Sequence, residues 1–343
     1  MQASAYKCPS CGRGISFDPA SGKFVCEYCS QVYTTQQLES YDNKKDTEYS
    51  QFGEYVCPNC GAQVITDATD AASFCYFCDS PVVFNSRISG EFKPDGIVPF
   101  KITKEFAQQK FDEMRKKKKF LPKDFGSDKK HSTIKGIYMP YRLVDSVTDG
   151  ELVAQSNEVS VWTAGDIEYT ETSTYQHVRQ GEITSLGIAQ FALKGEDKRL
   201  MSNVCPYNRD SVIPFNTSYL SGFFAEKNDI TREEMQSEVD DKINKIARNQ
   251  LAASISNSIS RTENFRTDIR KEDWKYVLLP IWVSTYKYGD KIYTYAMNGE
   301  SGKICGELPV SKGKLAGLFA GCAAAAGIIA GLITAFLTGG FML

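Results

Sequence analysis

The apolar and polar positions in the middle of the chain follow two periods, which predict helices and antiparallel strands. A first helix is predicted to begin near Thr103, because apolar residues recur there at the spacing of one helix face; these are Phe106, Ala107, Phe111 and Met114. A second, longer helix begins at the capping box Thr231-x-x-Glu234. Its apolar stripe comprises Met235, Val239, Ile243, Ile246, Leu251, Ile255 and Ile259.

Each predicted helix is followed by an apolar segment that contains a proline and predicts a hairpin. The first segment, residues 138–144, is predicted to turn at Asp149-Gly150, and the second, residues 278–283, near Gly289-Asp290. Proline inside an apolar strand indicates an edge or a bulge, because it cannot donate a ladder hydrogen bond. Residues 151–191 also alternate, and Asn298-Gly299 is a strong signal for a last turn.

These elements predict an α+β body over residues 95–310, possessing antiparallel hairpins and a faint internal repeat. Ile97-Val98-Pro99-Phe100 precedes the first helix, and Val212-Ile213-Pro214-Phe215 lies upstream of the second. The repeats would span residues 95–195 and 210–310. Chance recurrence of a short apolar-proline-aromatic step is the alternative.

A continuous apolar run follows the body. Residues 315–337 form 23 positions without a charge, and a helix of about 35 Å is long enough to cross a hydrocarbon core of about 30 Å. Lys312 and Lys314 precede it, which predicts a single-pass tail anchor in the cell membrane with the bulk of the chain cytoplasmic. A buried Ala/Gly-rich core helix is the alternative. Two Gly-x-x-x-Gly spacings, beginning at Gly317 and Gly327, are compatible with self-association.

Eight cysteines near the start of the chain form four Cys-x-x-Cys pairs in a pattern that occurs twice. In each copy, fourteen residues separate the two pairs. Because one zinc ion takes four thiolates at tetrahedral corners, this spacing predicts two β zinc ribbons, at residues 1–42 and 50–88. The metal ligands are Cys8, Cys11, Cys26, Cys29, Cys57, Cys60, Cys75 and Cys78. Disulfides and a redox Cys-x-x-Cys are the weaker alternatives.

Both zinc ions (Zn2+) are predicted to be structural, because a catalytic zinc keeps an open position and each set here offers four cysteines without histidine. A segment of about 40 residues buries too little apolar surface to fold alone. Zinc binding, about 10–16 kcal/mol in small zinc domains, stabilises such a fold. His131 and His177 are far apart in the sequence, so no acid–base pair is visible, and no catalytic residue is predicted. The chain is therefore expected not to be an enzyme.

Charge is unevenly distributed along the chain. Residues 1–90 carry six basic and ten acidic side chains, a net charge of −4, and each zinc–tetrathiolate centre adds about two further negative charges. Nucleic-acid affinity depends on Lys and Arg neutralising phosphates, so acidic ribbons favour a protein partner. The basic run Arg115–Lys119 ends the first predicted helix. It either stabilises the helix dipole or meets an anionic partner, most simply the cytoplasmic leaflet.

Several longer motifs resemble one known family, the bacterial membrane-anchored double zinc-ribbon proteins of the YdjG type, also labelled TFIIB-type zinc-ribbon proteins. The motifs are Val98-Pro99-Phe100, Lys123-Asp124-Phe125, the segments 136–141, 214–216, 219–223 and 279–282, and the closing segments 298–303 and 307–314. The resemblance implies a membrane-bound protein of envelope-stress systems, and it implies partners similar to phage-shock protein A or to flotillin-like SPFH proteins. It does not imply an enzyme.

The sequence thus predicts a membrane-anchored scaffold or adaptor that uses two structural zinc ribbons to recruit protein partners. A membrane-tethered zinc-ribbon protein that binds nucleic acid is the alternative, and Arg115–Lys119 would then be the contact. A homo-oligomer through the membrane helix also fits the glycine spacing.

Overall fold

The computed structural model describes residues 6–41, 54–57, 63–65, 70–75, 80–84, 93–122, 133–194, 197–288 and 291–337. The N-terminal part holds a small antiparallel sheet and a short helix, formed by β1 (Ser16–Asp18), β2 (Lys23–Val25), β3 (Val32–Tyr33) and α1 (Thr35–Glu39). A two-stranded ladder follows, formed by β4 (Glu54–Val56) and β5 (Gln63–Ile65).

Two very long antiparallel strands form the centre of the body. These are β9 (Thr133–Ala164) and β13 (Ile259–Tyr288), which pair from Thr133 opposite Thr285 to Ser156 opposite Ile259. Each returns as a hairpin, because β9 pairs with β10 (Ile167–Phe191) and β13 pairs with β14 (Lys291–Asn298). Shorter strands complete a ten-stranded mixed sheet: β6 (Asp70–Phe74), β7 (Pro81–Val83), β8 (Gly96–Ile97), β11 (Ile213–Pro214), β12 (Phe224–Glu226) and β15 (Ile304–Gly306).

The predicted turn at Asp149-Gly150 is wrong. Strand β9 runs through both residues, and the hairpin turns at Gly165 and Asp166. A Cβ at Gly150 would lie 2.9 Å from Ile183 Cδ1 and 3.0 Å from Leu251 Cδ1. Gly150 therefore permits close packing of a helix on the sheet, which is the other common reason for glycine inside a strand. The second predicted turn, Gly289-Asp290, lies outside the described residues.

The prolines of the two long strands occupy the centre of the sheet, so their assignment to edges or bulges is also wrong. Pro140 on β9 lies opposite Leu278, and Pro280 on β13 lies opposite Tyr138. The Pro140 carbonyl accepts a hydrogen bond from the Ala192 amide at 3.0 Å, on the side away from β13. On that side the neighbouring strand changes from β12 to β10, which pairs from Tyr141. Pro140 has no N–H to donate, and it lies between the end of the pairing with β12 and the start of the pairing with β10. No ladder hydrogen bond is therefore lost at this position.

The two predicted helices are present, and the predicted capping box of the second is confirmed. Helix α2 (Lys104–Lys117) begins after Thr103, whose hydroxyl accepts from the Phe106 amide. Helix α4 (Arg232–Ala253) begins with the reciprocal capping box of Thr231 and Glu234. The predicted stripe extends too far, because α4 ends at Ala253 and Ile259 begins β13. A further short helix, α3 (Lys198–Val204), was not predicted.

The short strands before α2 and α4 have matching positions in the sheet. Strand β8 pairs in parallel with β13, with Ile97 opposite Leu278, and β12 pairs in parallel with β9, with Ala225 opposite Tyr138. In both cases the threonine helix cap stands six residues further along the chain. The body therefore presents the order short strand, helix and long hairpin twice.

The last helix, α5 (Lys312–Leu337), is long and apolar enough to cross a membrane, and none of its membrane-length segment is buried. Apolar side chains cover it on all sides, in contrast to the one-sided stripe of α4. Such a helix is compatible with a single-pass membrane anchor.

Candidate metal centre and its seat on the body

Two tight turns bring the first four cysteines to one place. In the first turn the Cys8 amide donates to the Arg13 carbonyl at 2.6 Å, and the Gly12 amide donates to the Cys8 carbonyl at 2.8 Å. Gly12 has a φ of 72°, the left-handed conformation that glycine adopts at low cost. The loop thereby closes tightly enough for both of its sulfurs to point to one side.

The second turn repeats this pattern without a glycine. The Cys26 amide donates to the Gln31 carbonyl at 3.0 Å, and the Ser30 amide donates to the Cys26 carbonyl at 2.8 Å. Ser30 has a φ of 57°, and it is the only described non-glycine residue with a positive φ. This conformation costs about 1 kcal/mol or more outside glycine, and at Ser30 it closes the second turn as Gly12 closes the first.

The four sulfurs lie within 4.8 Å of one another. The Cys8 and Cys29 sulfurs are 3.5 Å apart, and so are those of Cys11 and Cys26. Four thiolates around one zinc at about 2.3 Å would be about 3.8 Å apart. Cys8 and Cys26 are buried, whereas Cys11 is exposed. The cluster can therefore hold a metal ion, and its all-sulfur donor set suits zinc.

Hydrogen bonds prepare one of these thiols for ionisation. Burial opposes the charge on Cys8, but bonds from the Tyr33 hydroxyl and from the Cys11 and Ser10 amides outweigh it and lower its pKa to about 6. For Cys29 a backbone amide favours the thiolate, yet burial and the neighbouring thiols raise its pKa to about 12. An ionised thiol in this cluster thus opposes ionisation of its neighbours, and a divalent cation bound between them would remove that repulsion.

The second set of four cysteines is described only in part. Cys57 and Cys75 are both buried. Cys60 and Cys78 lie outside the described residues, and so does Gly61. Cys57 follows β4 directly and Cys75 follows β6 directly, so both stand at strand ends.

The first ribbon packs on the body through an aromatic contact that the sequence did not predict. Tyr219 lies 5.1 Å from Phe17 and 5.8 Å from Phe24, measured between ring centroids. The Tyr219 hydroxyl also reaches Thr35 Oγ1 at 3.3 Å. Phe17 and Phe24 are themselves in edge contact at 5.4 Å, so the three rings form one cluster across the junction.

Backbone hydrogen bonds complete this junction. The Phe17 amide donates to the Ser221 carbonyl at 3.0 Å, and the Ser221 hydroxyl donates to the Ile15 carbonyl at 2.5 Å. Gly222 has a φ of 94°, and a Cβ there would lie 2.8 Å from the Ser16 Cβ. Residues 219–223 are one of the motifs that carry the family resemblance, and here they form the seat of the ribbon. The sequence motif therefore marked residues of this junction, although the sequence alone did not show that they contact the first ribbon.

The second cysteine region joins the body through a sheet. Strand β6 pairs with β12, with Ala72 opposite Ala225, and β7 pairs with β6. Phe74 and Phe224 add an edge contact at 5.1 Å. The strands that flank Cys75 thus belong to the ten-stranded sheet.

Among the described residues outside the cysteine clusters, neither Cys205 nor Cys305 is an activated nucleophile. Burial raises the pKa of the Cys205 thiol and of the Cys305 thiol to about 11 in both cases, the opposite of an activated nucleophile. His177 lies on β10, where its Nε2 is 2.8 Å from the Ser156 hydroxyl. Cys322 lies on α5 and is exposed. His131 lies outside the described residues.

Comparison with known proteins places the chain in a family. No protein-family model matches it. No solved structure matches it. Over 340 residues it is 34% identical to the uncharacterized protein YdjG of Bacillus subtilis (strain 168), which covers 98% of this chain and 99% of the relative. Identity at this level over almost the whole of both chains shows that this protein belongs to the YdjG family.

Proposed function

We propose that this chain is a membrane-anchored adaptor that holds protein partners at a membrane surface, and that it is not an enzyme. The observation that carries the proposal is a hairpin arm, residues 157–174 of β9 and β10. The pairing of β13 with β9 ends at Ser156, so beyond that residue the arm is a hairpin of only two strands. An isolated two-stranded ribbon is marginally stable in water, which favours a partner that covers it.

The arm exposes large apolar side chains, which are Val159, Val161, Trp162, Ile167 and Tyr169. Trp162 lies opposite Tyr169 on the paired strand, and the two rings stack at 5.8 Å. Because side chains alternate between the two faces of a strand, Trp162, Ile167 and Tyr169 share one face of the arm, whereas Val159 and Val161 lie on the other. Exposed aromatic and branched residues grouped on one face, as on the Trp162 face, mark a protein-binding or membrane-binding surface. Arm residues 157–174 contain four carboxylates and no Lys or Arg, so a protein surface suits them better than an anionic membrane.

The arm and the apolar helix lie at opposite ends of β9. Leu121, next to the start of α5, packs in the same core cluster as Ile134 at the beginning of β9. The arm tip follows Ala164, thirty residues along the strand, which corresponds to at most about 100 Å. An anchor at one end and a binding surface at the other is the geometry of an adaptor, since the bilayer raises the effective concentration of whatever the arm holds.

Two structural zinc ions complete the proposed function. They would fix the ribbons to the body at Tyr219 and at β12, so that recruitment surfaces keep a defined position. The first ribbon adds an exposed surface on Tyr28, which is 66% exposed and stacks under the Arg13 guanidinium at 4.0 Å. We propose that this surface is the ribbon's contribution to partner binding. The proposed orientation is single-pass with the bulk of the chain cytoplasmic, as Lys312 and Lys314 favour.

The partners that the family resemblance implies, similar to phage-shock protein A or to SPFH proteins, remain the proposed class, and membrane stress the proposed setting. Nucleic acid is less favoured, because the ribbons and the arm are acidic. Self-association through the glycine spacings of α5 is proposed as secondary.

The test is a crosslinked pull-down of the full chain from detergent-solubilised membranes, with and without nuclease. The variant Trp162→Ser/Tyr169→Ser is compared with Thr170→Ser/Thr172→Ser, a control on the same arm. We expect protein partners that survive nuclease, persist in the control and decrease at least tenfold in the aromatic variant. Recovery that collapses with nuclease would replace the adaptor by the nucleic-acid binder. Equal recovery from both variants would remove the arm from the proposal.

We infer in addition that the body is an internal duplication. Ile97 would correspond to Ala225, and the cap Thr103 to the cap Thr231. This register replaces the sequence-based match of Ile97–Phe100 with Val212–Phe215, because Ile213 pairs directly with Ile97 in the sheet. Pro140 and Pro280 also correspond. Met139 and Leu279 lie opposite each other on the two long strands, and each proline is the next residue along its own strand. The test aligns the two halves of the body with each other in sequences of relatives. Alignment of Ile97 with Ala225 would support the duplication, and a consistent alignment of Phe100 with Phe215 would contradict it.

A further inference from the structure

The chain segment after α2 lies against the beginning of α5. The Ser311 amide donates to the Phe120 carbonyl at 2.8 Å. The Lys314 ammonium donates to the Leu121 carbonyl at 2.8 Å and to the Lys119 carbonyl at 3.3 Å. Residues almost two hundred positions apart therefore meet where the apolar helix begins.

The contact between these two segments brings several lysines together around the start of α5. We name the group the basic collar, and its members are Lys116, Lys117, Lys118, Lys119, Lys312 and Lys314. All six are exposed, and in the part of the chain that the structure describes none of them has a carboxylate within 4.0 Å. Two acids on α2 are paired with other cations, Asp112 with Arg115 and Glu113 with Lys110 at 3.2 Å, and Lys117 also acts on Glu113 at longer range.

Helix dipoles do not account for the collar. Lys116 and Lys117 lie in the last turn of α2, where cations are favourable, but Lys118 and Lys119 lie beyond its last helical residue. Lys312 and Lys314 lie in the first turn of α5, where the dipole opposes cations. A compensating anion near the start of α5 would remove this cost, and a helix N-terminus flanked by lysines is a suitable phosphate site.

Exposed apolar side chains accompany the lysines. Phe120 is 38% exposed and Val310 is 58% exposed, and both stand beside the Ser311–Phe120 contact. An aromatic ring next to cations at the base of a membrane-length helix suits the boundary between headgroups and acyl chains.

We propose that the basic collar binds the anionic phospholipid headgroups of the bilayer that α5 crosses, which rests on the anchor role proposed above. The headgroup phosphates would neutralise the six lysines and the N-terminal dipole of α5, and Phe120 and Val310 would enter the interface. The body would then be held against the leaflet at α2 as well as at α5, which fixes the direction in which the hairpin arm extends. Each lysine near an anionic leaflet contributes about 1 kcal/mol, or about fivefold in binding.

The first test uses the full chain in nanodiscs of phosphatidylcholine or of phosphatidylglycerol. A membrane-impermeant acylating reagent labels the lysines, and mass spectrometry measures the extent at each. We expect the collar lysines to react several-fold more slowly in phosphatidylglycerol, and the difference to vanish at 1 M salt (Debye length about 3 Å). Lys23 and Lys245, exposed elsewhere, are internal controls. Equal reactivity of the collar in both lipids would overturn the proposal.

The second test asks which lipid the chain retains. The full chain is extracted by mild detergent from vesicles of equal parts phosphatidylcholine and phosphatidylglycerol. Neutralisation of Lys116–Lys119 to Gln is expected to reduce phosphatidylglycerol enrichment at least tenfold, whereas Arg at the same positions should keep it, because Arg retains the positive charge. Lys, Gln and Arg have similar helix propensities, so neither variant alters the helix itself. The matched control neutralises four exposed lysines elsewhere, which are Lys23, Lys245, Lys271 and Lys275. An equal loss in this control would overturn the assignment to the collar.

The outcomes separate the two proposals. A chain that fails to enter nanodiscs at all contradicts the anchor, whereas a chain that enters but shows no lipid-dependent protection contradicts the collar alone. Protection in phosphatidylcholine that appears only on adding RNA would overturn the lipid assignment in favour of nucleic acid.

Discussion

The ring of Tyr219 in the body lies 5.1 Å from the ring of Phe17 in the first ribbon, in an edge-to-face contact. This contact ties the N-terminal element that carries the four-cysteine cluster to a turn more than two hundred residues away. Its consequence is that the first cysteine cluster and the ten-stranded sheet share one core cluster, in which Phe17 and Phe24 pack with residues of the body.

Replacing Tyr219 should loosen this junction without removing the metal. In Tyr219→Ala we expect the free energy of unfolding to fall by about 2–4 kcal/mol, because two aromatic contacts and their buried area are lost. Zinc content should be unchanged, since no ligand is touched. Hydrogen exchange of β1 and β2 should increase, and Tyr28→Ala, which removes an exposed ring, is the control. Unchanged exchange in β1 would show that the backbone bonds to Ser221 hold the ribbon alone.

Metal content tests the cysteine sets separately. Cys8→Ser/Cys11→Ser should reduce zinc by one ion per chain, since two thiolates cannot hold a structural zinc. Cys57→Ser/Cys60→Ser should do the same through the second set, and Cys205→Ser is the control. Elemental analysis of purified full chain gives the stoichiometry. A zinc content that stays unchanged in either double variant would contradict the assignment of that set.

Gly150 and Gly181 form a matched pair, because they lie opposite each other on β9 and β10. Gly150→Ala is expected to destabilise by about 1–3 kcal/mol, because its Cβ would meet Ile183 and Leu251 at 3.0 Å or less. Gly181→Ala should be neutral or slightly stabilising, since nothing lies within 4 Å of its Cβ. Denaturant unfolding of both variants compares them directly, and equal losses would contradict the assignment of Gly150 to close packing of α4 on the sheet.

The anchor has a direct biochemical test. The full chain should stay with membranes through alkaline carbonate extraction, whereas a chain ending at Ser311 should move to the supernatant. Ile328→Lys/Ile329→Lys should weaken retention, since a lysine near the centre of a membrane helix costs about 3 kcal/mol. Ala323→Leu, an apolar change in the same helix, is the control. Retention of the shortened chain would mean that other surfaces hold the protein at the membrane.

Local sequence was sufficient for elements whose signals lie within a few residues. The helix start near Thr103 and the capping box at Thr231 were predictable, because an apolar stripe and a capping side chain are both signals within a few residues. The gathering of Cys8, Cys11, Cys26 and Cys29 was predictable for the same reason, since two short turns and one hairpin bring the sulfurs together. The apolar length of α5 is likewise a property of composition alone.

Tertiary structure decided what depended on distant neighbours. Asp149-Gly150 has the composition of a turn, yet the chain stays extended there because both residues pair with β13 on one side and with β10 on the other. Leu251 of α4 then occupies the space that a side chain at position 150 would need. Pro140 sits in the middle of the sheet because its missing N–H meets a change of neighbouring strand. Neither reason is visible in the sequence near these residues, since both concern elements from elsewhere in the chain.

The surfaces that carry the proposals divide in the same way. The sequence by itself determined that Lys116–Lys119 is a basic run and that an apolar helix follows Lys314, because charge and hydropathy are properties of single residues. Only the fold placed these two segments in contact, through the Phe120 and Leu121 carbonyls. The hairpin arm also required the fold, because its exposure depends on where the pairing of β13 stops. Long-range contacts close loops of a hundred residues or more, and the many alternatives to each such contact differ too little in local free energy for sequence patterns to select one.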